Sequence, residues 1–182
     1  MLEDYFQELK HDLRGALSKR NHPFKYGYLT TVDEQLQPRA RTVVIREISE
    51  SMELIIFTDS RTTKVHQLSQ NPKASLLFYN SKSLRQIRVD GLLEPITDEM
   101  EIKRLFQKVS SKSIKDYTTQ LPPGSPIKNP DHVEYVERSE NHFLPLRFVS
   151  NSIELLQLKR PNHLRALYQR TNEDWKGQWL VP

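Results

Sequence analysis

The apolar residues near the N-terminus recur at helical spacing: Leu2, Tyr5, Phe6, Leu9, Leu13, Ala16 and Leu17, with charged residues between them. A period of three to four gathers them into one stripe, so residues 1–20 are expected to form an amphipathic helix. His22-Pro23-Phe24 stops it, because proline cannot continue a helix. From 24 to 95 the period shortens to two. YGYLTTV, RARTVVIREI, MELIIFT, ASLLFYN and SLRQIRVDGLLEPI are dominated by aromatic and β-branched residues and bounded by turn material such as VDEQLQP and YNSKS, so they read as strands. One interruption, TTKVHQLSQNP at 62–72, reads as a helix ended by Asn71-Pro72.

Asp98 followed by Glu101 has the form of a capping box, and Ile102, Leu105, Phe106 and Val109 continue at helical spacing. LPPGSPIKNP at 121–130 holds four prolines and a glycine and is expected to be a loop. DHVEYVERSE at 131–140 predicts a short polar helix. PLRFVS, SIELLQL, HLRALYQR and DWKGQWLVP then resume strand character. Strands therefore fall in two groups, 24–95 and 143–182, joined largely by short turns. That pattern predicts one α+β domain over 1–182, an antiparallel sheet with enough strands to close into a barrel, and flanking helices.

Composition narrows the options. Of 182 residues, 36% are hydrophobic and 27% charged, an ordinary globular balance. No run approaches the ~20 apolar residues of a membrane helix, and the acidic N-terminus predicts no secretory leader. A cytoplasmic protein without a membrane partner is expected. There is no cysteine, which excludes disulfides, thiolate metal sites and cysteine catalysis. The net charge is +4, but the basic residues are dispersed among acids. This argues against a nucleic-acid partner and in favour of a site for a small phosphate.

The usual phosphate and catalytic motifs are missing. None of the five glycines forms GxGxxG or a P-loop, so a phosphate must be met by side chains. The six histidines show no ligand spacing, no GxSxG exists, and neither a metal nor a catalytic protein nucleophile is expected. What remains is a set of basic and polar residues near strand ends: Arg41 and Arg46; Arg61 and Lys64; Arg85, Gln86 and Arg88; Arg165 and Arg170. Lys64 stands out, because a cation in the first turn of a helix opposes the helix dipole unless an anion lies nearby. Trp175 and Trp179 fit packing or dimer contacts as well as they fit a ligand.

TVDEQLQPRARTVVIRE and FTDSRTTKVHQLSQNPKASLLFYNSKSLRQIRVDG, covering 30–91, together with the closing HLRALYQR and DWKGQWLVP, resemble the pyridoxamine 5'-phosphate oxidase family. The resemblance implies an FMN-binding split barrel whose flavin lies between two protomers, hence a homodimer acting on a small molecule. Carried over by position, Arg41, Thr42, Val43, Val44, Ile45 and Arg46 would run along the flavin, with Arg46 also facing the substrate. Phe57 and Thr58 match the next cofactor contacts. Thr62, Thr63 and Lys64 replace Ser-Arg-Lys at the phosphate, so Lys64 keeps one charge and Thr63 loses another. Gln86 matches the glutamine at the polar edge of the isoalloxazine, and Arg165 the late cofactor arginine. Gln120 or Ser125 would be the contact from the neighbouring subunit.

The substrate half of the resemblance is weaker. The tyrosine, arginine and serine that hold pyridoxal phosphate have no counterparts at matching spacing in or before SIKDYTTQ. The late Arg-x-His appears as Pro161-Asn162-His163, leaving His163 as the substrate candidate, and the tryptophan against the flavin is replaced near Leu156. The resemblance thus implies an FMN-dependent oxidoreductase of open substrate. The alternatives are a flavin-binding or storage protein without turnover, or a split-barrel module for another ligand such as haem.

Overall fold

The computed structural model describes residues 1–172 and 174–182. Its helices are α1 (Leu2–Ser18), α2 (Thr63–Gln70) and α3 (Glu99–Phe106). Its strands are β1 (Tyr26–Val32), β2 (Pro38–Ile48), β3 (Glu53–Asp59), β4 (Lys73–Asn80), β5 (Arg85–Pro95), β6 (Phe143–Gln157), β7 (Leu164–Thr171) and β8 (Asp174–Leu180). The sheet order is β3-β2-β1-β4-β5-β6-β7-β8, and a further β3–β6 pairing closes the first six strands into an antiparallel barrel. Strands β7 and β8 extend from it. This is the expected α+β split barrel.

Alternation sorts the side chains as strand geometry requires. Leu29, Leu54, Ile56, Leu76, Phe78, Ile87, Val89 and Ile153 fill the barrel. Helix α1 lays Phe6, Leu9, Leu13 and Ala16 against that core, and Phe6 stacks on Tyr168 at 4.6 Å between ring centroids. Trp175 and Trp179 pack on the same helix, 5.5 Å from Phe6 and 5.6 Å from Tyr5. Arg85 latches α1 down through Asp12 (2.6 Å) and Glu8 (2.8 Å), so this strand-end arginine is committed to the fold. No helix among the described residues is long and apolar enough to cross a membrane.

Two expectations need correction. PLRFVS and SIELLQL are one strand: β6 runs for 15 residues, and the polar residues at its middle are absorbed by a register shift opposite Asp90 and Gly91. Gly91 suits that shift, since a Cβ there would lie 2.1 Å from the Val149 carbonyl oxygen. The helix predicted at 131–140 is also missing; only Arg138–Glu140 form a single 3-10 turn. The backbone there pairs across to 118–120, with Gln120 N–H donating to Glu134 O (2.8 Å) and Val136 N–H to Thr118 O (2.7 Å). Those ladder bonds take the groups a helix would have used internally.

A second apolar cluster (Ile55, Ile96, Leu105, Val109, Tyr117 and Phe143) lies on the outside of β3. Helix α3 is fixed for this contact by Asp98, whose carboxylate accepts from Glu101 N–H at 2.7 Å. The cluster anchors the mostly irregular stretch 107–142 beside the end of the barrel.

Candidate functional site

Strand β3 turns into α2 through Asp59, whose carboxylate accepts from the Arg61 backbone N–H at 2.8 Å. Thr62 then sits at the N-cap without a side-chain capping bond, and the first turn of α2 contains no acid. Into this turn Lys64 directs its ammonium, donating to Thr58 Oγ1 (2.7 Å) and Thr62 Oγ1 (3.3 Å). Arg41 arrives from the inner face of β2 and donates to Thr31 Oγ1 (2.6 Å) and Gln67 Oε1 (3.3 Å). Both cations have only neutral hydrogen-bond partners among the described residues. Burial and the neighbouring Arg41 draw the Lys64 ammonium down to about 8, against a weaker opposing pull from Asp59. Burial, helped by Arg39, likewise lowers Arg41.

Two half-buried cations and the open N-terminus of a helix therefore converge with no carboxylate free to answer them. Asp59, the acid that acts on Lys64, is already held by Arg61 at 2.7 Å. A cavity of about 630 Å3 opens beside Arg41, lined by Asp33, Arg39, Arg41, Thr63 and Gln67, and the Asp33 carboxylate there is held by Arg39 at 2.8 Å. Its chemistry is that of an anion receptor.

Arg61 has another task than the anion contact considered from the sequence. Besides gripping Asp59, it donates to the carbonyl oxygens of Thr119 (2.8 Å) and Gln120 (3.1 Å). It thereby ties the irregular 107–142 stretch to the start of α2. That stretch encloses a second cavity of about 660 Å3, with Leu121, Pro122, Ile127, Asp116 and Glu134 on its walls and neither lysine nor arginine among its lining residues. Gln120 and Ser125 lie on this wall. Arg46 is exposed on β2 with its guanidinium 5.4 Å from the Phe57 ring centroid. Burial raises the nearby Tyr117 phenol, and Arg46 partly offsets the rise.

A separate group occupies the outer face of the sheet. Register places Gln86, Leu156 and Arg165 in one transverse row across β5, β6 and β7. One step along, Arg88 and Leu167 flank Glu154. Glu154 is 5% exposed and accepts from Arg165 Nη2 (3.1 Å to each oxygen) and Arg88 Nη2 (3.2 Å). Arg165 Nε is buried and has no hydrogen-bond partner.

The structure thus brings together Arg41, Thr58, Thr62, Thr63 and Lys64, and separately Gln86 and Arg165. It does not bring the two groups together within one chain, because β1 and β4 lie between β2 and β5. Val43 and Ile45 point into the core, while Thr42 is exposed and Val44 half-buried on the outer face. His163 is exposed beyond the end of β6, its Nδ1 accepting from Lys159 N–H at 3.1 Å. Thr31, Gln67 and Glu154 were missed from the sequence. Glu154 alone left a signal there, as an acid inside the otherwise apolar strand SIELLQL. Among the described residues, no group of three or more His, Cys, Asp or Glu is placed to hold a metal.

The family model described as "Pyridoxamine 5'-phosphate oxidase, FMN-binding domain" matches residues 4–97. The chain belongs to this family. A pyridoxine/pyridoxamine 5'-phosphate oxidase of Burkholderia thailandensis is 41% identical over 170 residues, covering 85% of this chain and 78% of that protein. A crystal structure of a pyridoxamine 5'-phosphate oxidase-related FMN-binding protein from Nostoc punctiforme superposes with a TM-score of 0.79 at 25% identity, covering 98% of this chain and 97% of that one. PhzG from Burkholderia lata, solved in complex with tetrahydrophenazine-1-carboxylic acid, gives a TM-score of 0.77 at 20% identity over 98% of this chain and 92% of its own. The PhzG likeness is one of fold. The matched segment, 4–97, includes β1, β2, β3 and α2, which build the cationic pocket.

The depressed Lys64 ammonium makes a prediction about the ligand-free protein. Below pH 8, Lys64 is charged both folded and unfolded, and the folded state bears the whole penalty. Between about 8 and 10.5 the folded state sheds the proton while the unfolded state keeps it, so this group makes stability rise with pH. Urea unfolding from pH 7 to 10.5 should show that rise in the difference between the wild type and Lys64→Met. A difference that is flat or falls with pH would contradict the burial of an unanswered cation.

Proposed function

We propose that the protein is an FMN-dependent oxidoreductase that works as a homodimer on a small-molecule substrate. The observation that carries this reading is the convergence of Arg41 and Lys64 on the uncapped start of α2 without a neutralising acid. A phosphate near pH 7 carries close to two negative charges, which matches two cations and free helix N–H groups. Arg41, Thr58, Thr62, Thr63 and Lys64 would hold the phosphate end. The unpartnered Arg165 Nε and the Gln86 amide would meet acceptors and donors on the ring edge.

FMN, when bound, supplies hydride acceptance and onward electron transfer. The chain's residues bind and orient it, neutralise its phosphate and exclude water, and none of them needs to act as a nucleophile. Arg46, stacked on Phe57, stands beside the flavin-facing segment of β2 and would orient the donor substrate.

The two groups of cofactor residues favour a dimer. A two-fold interface repeats each group on the partner, so that the phosphate cradle of one chain can be completed by the ring-edge residues of the other. The same outer face exposes Tyr26 (57%), Tyr28 (50%) and Tyr79 (44%), an aromatic patch of the kind buried in interfaces. The lack of basic residues around the second cavity disfavours a phosphorylated substrate there. A second reading, flavin binding without turnover, draws on the exposed position of His163.

Three outcomes follow. Lys64→Ala should weaken FMN binding by about one to two powers of ten, given roughly 1.5–3 kcal/mol for a charge-assisted hydrogen bond, and leave riboflavin binding almost unchanged. Equal losses for both flavins would place the phosphate elsewhere. Light scattering should report a dimer, with FMN released on dilution to monomer; a flavin-retaining monomer would remove the interface site. Under anaerobic conditions the flavin absorbance should bleach slowly or not at all with pyridoxamine 5'-phosphate and faster with an unphosphorylated amine donor. Absence of bleaching with every donor would favour the binding protein without turnover.

A further inference from the structure

The outer-face carboxylate Glu154 has no role in the reading above. It is almost fully buried on a sheet face that also carries Gln86, Arg88, Asp90, Leu156 and Arg165. A carboxylate taken out of water is retained only when it is well paired, and this one receives two guanidinium groups. Its neighbours continue the chain: Arg88 Nε also binds Asp90 at 3.1 Å. Two carboxylates and two arginines thus alternate across β5, β6 and β7, and the cluster is formally neutral.

The informative detail is how Arg165 is held. A guanidinium facing a carboxylate usually engages it with two nitrogens in a side-on fork. Here Arg165 gives both Glu154 oxygens the same nitrogen, Nη2, while Arg88 approaches one of those oxygens as well. Arg165 Nε is left buried and unpartnered. An orphaned buried donor is unfavourable in the free protein, and an acceptor on a ligand would relieve it. Glu154 and Arg88 therefore fix the direction of an unused donor in the row that also carries Gln86.

We propose that Glu154 is a positioning residue for the flavin: with Arg88 it locks the Arg165 guanidinium end-on, so that Nε stays available to an acceptor on the ring system. The proposal rests on the reading that Arg165 contacts the flavin. It assigns Glu154 an effect on the ring and none on the phosphate.

The test is a double-mutant cycle read by flavin titration of the full-length protein, using FMN and riboflavin in parallel. Glu154→Gln keeps the size of the side chain but presents an amide to the guanidinium. It should lower affinity about ten-fold, equally for both flavins. Arg165→Met should cost at least as much, and Glu154→Gln should add nothing in the Arg165→Met background. Should Glu154→Gln fold poorly, Arg88→Met offers a second route from a partly exposed position. It leaves Arg165 free to fork onto Glu154, consumes Nε, and should lower both affinities several-fold.

Wild-type affinities in Glu154→Gln and Arg88→Met would overturn the proposal. So would a Glu154→Gln loss that persists in full without Arg165, since the residue would then act through the fold. Unchanged affinities in Arg165→Met would overturn the placement of Arg165 itself, and the proposal with it. In that case Lys64→Ala would still report on the phosphate site independently.

Discussion

Strand β6 holds three other strands at once. Its first half closes the barrel against β3, its length from Leu146 to Gln157 pairs with β5, and its second half carries β7. Without the β3–β6 pairing the sheet would be an open ribbon, and Thr58 and Asp59 at the end of β3 would have no fixed place. Those two residues lead into α2, so the cationic pocket depends on barrel closure. Glu154 lies on the same strand and depends on its other two neighbours. A single strand thus sets both groups of proposed cofactor residues, on opposite faces of one sheet.

Electrostatics divides these groups by kind. At the start of α2, charge is left unanswered: Lys64 and Arg41 meet hydroxyl and amide oxygens, and the nearby acids Asp59 and Asp33 are occupied by Arg61 and Arg39. On the outer face, charge is balanced: Glu154 and Asp90 match Arg88 and Arg165, and what is left over is a hydrogen-bond direction. The first arrangement attracts an anion by field, and the second selects an acceptor by geometry. A ligand with an anionic tail and a polar ring edge meets both requirements.

Much of this architecture is legible in the sequence, because barrel strands and amphipathic helices announce themselves by period. Helix α1, the first five strands and α2 follow from the pattern between Leu2 and Pro95 with small errors of boundary. Strand β6 does not, since Asn151 and Ser152 look like a turn until the register shift opposite Gly91 is known. The supposed helix at 131–140 fails for a related reason: Val133 and Val136 fit a helical stripe, and only the tertiary pairing with 118–120 shows where the backbone bonds go. Lys64 was legible because its conflict with the helix dipole is local. The role of Arg61 is not legible, since nothing in DSRTTK shows that its donors are consumed by Asp59 and by the Thr119 and Gln120 carbonyls. Glu154 could be noticed but not interpreted, because its partners come from strands far apart in sequence.

The Arg61 tie has a bearing on how such a protein can diversify. Apart from one bond to the Thr119 hydroxyl, it grasps the irregular segment by main-chain oxygens. Side chains from 120 onward can therefore be exchanged without untying the segment from the start of α2. The wall of the second cavity is free to drift in shape and polarity while its distance from α2 is kept. In such a design the anchoring is written in the backbone and the selectivity in the side chains, so one can be inherited while the other is rewritten.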